Sequence, residues 1–167
     1  MKGRIKAGEG ALVGNAGEFY VVAELLKRGA IAALAPRNSP SFDILATKAG
    51  RTVRVRVKTK SEQYDDWQWV AKKDGTHFRE LSPHDDFTVL VNLTRETKDL
   101  AFFIIATETL DKWLTDDFEK WKATPGKNGR PHDPTSKKRG LAFSKYADRL
   151  KSDWDIMWKP KATRNAS

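Results

Sequence analysis

The chain contains no cysteine, three histidines and two methionines in 167 residues. Without cysteine there is neither a disulfide framework nor a Cys-type zinc site. His77, His84 and His132 fall in expected loops with no ligand spacing between them. They read as surface or turn residues rather than as metal ligands or general bases. Long apolar runs are missing too: runs such as 30–35 and 101–106 are far too short to span a bilayer. The basic start, Met1-Lys2-Gly3-Arg4-Ile5-Lys6, is not followed by the apolar core of a signal peptide. A soluble, cytoplasmic protein is expected, with no membrane partner.

What is present argues for one globular domain. Hydrophobic residues make up 39% of the chain, with six Trp and eight Phe, enough for a core without covalent staples. Net charge is +9, and it is unevenly laid out: +8 over residues 1–60, −7 over 61–120 and +8 over 121–167. A basic–acidic–basic order in one domain polarises the surface and favours a polyanionic partner on one side. The plainer reading is that solvated Lys and Arg only confer solubility.

Residues 1–13 read as a basic N-terminal arm, 14–158 as the domain, and 159–167 as a basic tail. Asn15 with Glu18 three residues on is a helix-capping pattern. Val21, Val22, Leu25 and Leu26 follow at helical spacing, and Gly29 ends the helix. Strands are expected over 31–35, 42–47 and 51–60, the last two joined by a turn at Lys48-Ala49-Gly50-Arg51. The third strand alternates cleanly. Val53, Val55 and Val57 take one face, and Arg54, Arg56, Lys58 and Lys60 take the other. Four cations on one strand face repel each other unless anions lie opposite. Trp67–Val70, Phe87–Leu93 and Ala101–Ala106 read as further strands, and a helix begins near Thr107 with Leu110, Trp113, Leu114, Phe118 and Trp121 on one face, the Trp113/Trp121 stripe in the core. Residues 124–139 form a long Pro/Gly/Lys-rich loop. A last helix is expected at 144–151, with Trp154, Ile156 and Trp158 packing back onto the body.

Three elements thus bring Glu18, Asp43 and Lys58 into the order helix, strand, strand. With Gly14, Gly17, Phe42 and the run Val55-Arg56-Val57-Lys58-Thr59, this resembles the PD-(D/E)XK nuclease superfamily, which includes archaeal Holliday junction resolvases. The resemblance covers residues 14–60, and the motifs are short. It implies an α/β restriction-endonuclease-like core of αβββαβ type, a mixed central sheet flanked by helices. It further implies a DNA-binding protein, on duplex or branched DNA, acting as a metal-dependent phosphodiesterase or descended from one. Asp43 and Glu18 would hold Mg²⁺ or Mn²⁺, and Lys58 would position the attacking water and stabilise transition-state charge. A symmetric homodimer is implied by the junction-cleaving relatives.

Arg56 departs from the pattern, because the superfamily carries Glu or Gln there. Arginine has no lone pair to offer a metal and brings a fixed charge. The expectation is therefore an Arg56–Asp43 ion pair in the metal position, with Arg56 counted among the site residues Asp43, Lys58 and Glu18. Glu18 is equally readable as a capping residue, and Asp43 as a salt-bridge acceptor. Nucleic-acid contacts are expected from Arg54 and Lys60, and from Lys127, Arg130, Lys137, Lys138 and Arg139 of the long loop. Two other functions stand beside the nuclease: a catalytically silent nucleic-acid-binding module, and a protein-interaction domain.

Overall fold

The computed structural model describes residues 9–36, 39, 41–82, 85–126 and 128–159. Helix α1 (Glu9–Lys27) leads into strands β1 (Ile31–Leu34), β2 (Ile44–Lys48), β3 (Arg51–Ser61) and β4 (Asp66–Val70). Strands β5 (Asp86–Leu93) and β6 (Ala101–Ala106) follow, then α2 (Thr107–Ala123), β7 (Lys138–Ala142) and the short α3 (Phe143–Tyr146). Five strands form one mixed sheet in the order β1-β2-β3-β5-β6, and β4 with β7 forms a separate two-stranded ribbon. Among the described strands only β3 and β5 run parallel. The expected α/β architecture, a mixed central sheet flanked by helices, is the one observed. The connection from β3 to β5 carries β4 and a loop, and the second long helix comes after β6.

β5 lies inside the sheet, between β3 and β6, and is buried from Asp86 to Val91. Its sequence is correspondingly apolar on both faces, as strands covered on two sides are. Val89 and Val91 join Val21, Leu25, Ile44, Val53, Val55, Trp154 and Met157 in one core cluster under α1. Leu90 and Ile105 join Trp67, Leu110, Leu114 and Leu141 in a second cluster, beneath α2 and the β4–β7 ribbon. The sheet is therefore the middle of three layers.

Two local features fix the α1 side. The helix closes with Gly29 at φ 77°, its N–H on Leu26 O and the Ala30 N–H on Leu25 O, a Schellman cap that needs the left-handed glycine. Gly17 faces β3 so closely that an added Cβ would overlap Thr59 Oγ1 and lie 3.1 Å from Thr59 Cγ2. Opposite β2, the Lys48–Arg51 hairpin turns through Ala49 (φ 50°) and Gly50 (φ 78°), the pair of positive φ values a type I′ turn requires.

Several local expectations are corrected. The helix already runs at Glu9, within the stretch read as an arm, so Asn15 is interior and cannot cap it, and Glu18 is not a capping glutamate. Residues 1–8 and 160–167 lie outside the described residues. Leu26 is 52% exposed, so the apolar stripe of α1 is narrower than the sequence suggests. Trp121 is 38% exposed, stacked on His132 with ring centroids 4.0 Å apart, and is not core. Trp113 is half-buried against Tyr146.

Candidate nucleic-acid interface

The cation face of β3 is turned inward, toward the second layer. Three of its four cations lie over an aromatic ring: Lys60 over Trp67 (4.9 Å), Lys58 over Trp69 (5.7 Å) and Arg56 over Phe78 (5.6 Å). The alternation Trp67-Gln68-Trp69 on β4 is the complement of Lys58-Thr59-Lys60 on β3. The repulsion among four like charges is met by these rings, by carbonyls and by one acid that the sequence reading missed.

That acid is Asp86, at the start of β5, whose carboxylate is fully buried. Its Oδ2 accepts from Arg54 Nη2 at 2.7 Å and from the Ser82 N–H, and lies 3.8 Å from Arg56 Nη2. Arg54 also donates to Glu80 O (2.7 Å), and Arg56 donates to Arg79 O (2.9 Å). The two guanidiniums thereby pin the loop from Phe78 to Ser82 across the strand. The signal in the sequence was an acid opening the apolar run Phe87–Leu93, where a parallel neighbour would need one.

The expected Arg56–Asp43 ion pair is therefore not the one that forms: Arg56 is committed to Asp86 and Arg79 O. Lys60 is buried and donates to Tyr64 O (2.7 Å) and Asn92 Oδ1 (2.8 Å), so it is an internal cation rather than a phosphate-facing one. Arg54 is likewise spent on Asp86. In the long loop, Arg139 is buried in β7, its guanidinium 3.2 Å above the Phe118 ring and bonded to Ser136 O and Lys138 O. Arg130, Lys137 and Lys138 are exposed, and Lys127 lies outside the described residues.

Asp43, Arg56 and Lys58 do come together. Asp43 sits just before β2; its N–H donates to Val55 O, and its Oδ2 accepts the Val57 N–H at 2.7 Å. Burial pushes its carboxyl above the usual aspartate range, while the Val57 N–H and the charges of Arg56 and Lys58 pull the other way. Burial likewise holds the Lys58 ammonium below the ordinary lysine range, against the pull of Asp43. Burial also lowers Arg56, with Arg54 adding to the effect and Asp86 and Asp43 opposing it. Lys58 has no hydrogen bond or ion pair with any described residue. Glu18 is half-buried on α1, one residue beyond the Gly17–Thr59 contact.

An open pocket of about 220 Å³ lies beside this group, lined by Ser41, Asp43, Arg56, Trp69, Lys72, His77 and Arg79 among others. His77, expected at the surface, is instead 3% exposed at its side chain and holds Asp111 Oδ1 of α2 through Nδ1 at 2.7 Å.

These residues do not fit a divalent metal. Among the described residues no three His, Asp or Glu side chains gather closely enough to hold an ion. Asp43 already spends one oxygen on a backbone N–H, and two cations stand beside it. What the group can do is hold an anion.

No protein-family model matches the chain. No curated protein sequence matches it either. Among solved structures it is similar to Hjc, a Holliday junction resolvase of the archaeal hyperthermophile Archaeoglobus fulgidus, at 14% identity and a TM-score of 0.49, covering 89% of this chain and 98% of that one. It is also similar to the bacterial homing endonuclease I-Ssp6803I, at 18% identity and a TM-score of 0.43, covering 63% and 74%. At these values neither likeness assigns a role to any residue. No described helix is long and apolar enough to cross a membrane.

Proposed function

We propose that this chain is a nuclease-like α/β protein that binds the phosphate backbone of DNA and does not use a divalent metal to do so. The carrying observation is the company Asp43 keeps: one carboxylate with Arg56 and Lys58 beside it, and no cluster of three acidic or histidine side chains among the described residues. A phosphate oxygen takes the place that a metal would need.

The surface extends from this point. Lys72 lies close enough to Arg79 and Arg56 to feel both charges, with Asp74 and Asp111 opposing them, and neither Lys72 nor Arg79 has a side-chain hydrogen bond or ion pair among the described residues. The Ala71 N–H donates to Lys137 O at 2.8 Å, and Val70 pairs with Lys138, so the end of the long loop lies along the same edge. Lys58, Lys72, Arg79, Lys137 and Lys138 form the proposed backbone-contacting set. Such contacts give affinity without reading sequence.

The test is a salt titration of affinity for duplex and branched DNA. Log affinity should fall steeply and linearly with log salt, by about 0.9 per phosphate neutralised. Neutralising Lys137 and Lys138 should weaken binding evenly across sequences and flatten that slope. Affinity insensitive to salt would overturn the reading in favour of a protein-interaction domain. A metal-dependent phosphodiesterase is the second reading, favoured by the uncommitted Lys58 ammonium beside Asp43. Calorimetric titration with Mg²⁺ or Mn²⁺ separates the two, and no binding heat is expected.

A further inference from the structure

The pocket beside Asp43 holds more unspent hydrogen-bonding capacity than backbone binding requires. Two buried polar atoms on its lining residues have no partner among the described residues: Arg56 Nε and His77 Nε2. Buried groups of this kind are rare, and each calls for a partner. Among the described residues Lys72 and Arg79 add two cations without ion pairs, and Asp43 is the one carboxylate that lines the space. Glu80 lies nearby, but its carboxylate is turned to Ser41 Oγ at 3.1 Å.

We infer that this pocket takes a phosphate monoester, the terminal phosphate of a nucleic-acid strand, gripped by Arg56, Lys72 and Arg79 with His77 beside it. The inference rests on the DNA-binding reading and deepens it. Arg56 shares Asp86 with Arg54, so the cations left without an ion pair at the pocket are Lys72 and Arg79, with Asp74 and Asp111 acting on Lys72 from outside it; this balance attracts a phosphate of either kind. His77 supplies the discrimination. With the Nδ1–H donating to the Asp111 carboxylate, Nε2 is left with a lone pair that calls for a donor. The singly charged form of a monoester carries a P–O–H group that can make that donation. A diester has no such proton. The Trp69 and Phe78 rings also line the pocket and offer apolar surface to the terminal sugar and base.

The experiment is fluorescence anisotropy on one oligonucleotide in three forms: 5′-phosphorylated, 3′-phosphorylated and without a terminal phosphate, with inorganic phosphate as competitor. One of the phosphorylated forms is expected to bind about tenfold more tightly than the unphosphorylated one, the worth of a charge-assisted hydrogen bond. Arg79→Gln with Lys72→Gln should abolish that preference. Neither side chain has a hydrogen bond or ion pair among the described residues, so the pair of changes leaves the body intact. His77→Gln should reduce the preference. Equal affinity for all three forms would sink the inference while leaving the DNA-binding reading standing. So would a preference that survives Arg79→Gln/Lys72→Gln, or a pocket that takes inorganic phosphate yet ignores strand ends. No binding of any form would overturn the DNA-binding reading itself.

Discussion

Arg56→Gln distinguishes two accounts of this protein. Read from the motif alone, the exchange removes a charge that blocks a metal site and supplies an oxygen, so metal affinity and nuclease activity should rise. In the folded chain Arg56 has other work. Its side chain is about 10% exposed, bonded to Arg79 O at 2.9 Å and 3.8 Å from Asp86. A hydrogen bond from a charged donor is worth about 1.5–3 kcal/mol, and breaking a buried ion pair by removing one partner costs about 3–5 kcal/mol. Asp86 keeps Arg54 at 2.7 Å, which holds the second loss to a fraction of that range. The expected cost is about 3 kcal/mol, or roughly 6–12 °C in Tm for a domain of this size. Urea and thermal melts, each with and without Mg²⁺, read it directly. A variant as stable as the native chain, or one stabilised by Mg²⁺, would show that Arg56 is a plug rather than a strut.

Gly14→Ala and Gly17→Ala lie in the same helix and should have opposite signs. The first meets open space and should gain about 0.5–1 kcal/mol in helix propensity, and the second collides with Thr59 and should lose about 1–3 kcal/mol, both read in urea melts. Ala49→Asn relieves a positive φ in the I′ turn and should add about 1 kcal/mol by the same measurement. Asp43→Asn keeps an acceptor for the Val57 N–H and should tighten DNA binding. Because the folded pKa is raised, the native chain should lose stability relative to Asp43→Asn as pH rises through the carboxylate range, a trend that melts at several pH values would reverse if Asp43 were a well-paired anion. Lys58→Met should stabilise the fold at neutral pH and weaken DNA binding. Since the Lys58 pKa is depressed, that stability gain should shrink as pH climbs toward the lysine range.

The elements of the sheet were legible because their patterns are local. Alternation marked β3, apolar runs marked β5 and β6, and turn residues marked the β2–β3 hairpin. The start of α1 was not legible, since Gly10, Gly14 and Gly17 disguise a helix that tertiary contact with β3 sustains. Burial of the cation face was also hidden. An alternating Arg/Lys strand reads as solvent-facing until the tryptophans of β4 are folded over it, and nothing local announces a pairing between segments joined only in space. The Asp43–Arg56–Lys58 group could be seen from the motif. What Arg56 does there could not, because its partners come from a loop and from the far strand. His77 was misread for the same reason: its partner Asp111 sits 34 residues away on α2.

The register between β3 and β5 explains why one lysine is left over. Along the shared face Arg54 meets Asp86, Arg56 meets Thr88, Lys58 meets Leu90 and Lys60 meets Asn92. The acid at one end and the amide at the other satisfy the outer cations, and Arg56 reaches beyond Thr88 to Asp86 and the loop carbonyl. Leu90 offers Lys58 nothing polar, because it must fill the core beneath Leu110 and Leu114. The lysine stem is left on Trp69 with its ammonium beside Asp43. Uncompensated burial of a charge costs stability unless a ligand supplies the missing partner. That cost falls on Lys58, the one β3 cation that neither the neighbouring strand nor a carbonyl of the described residues satisfies.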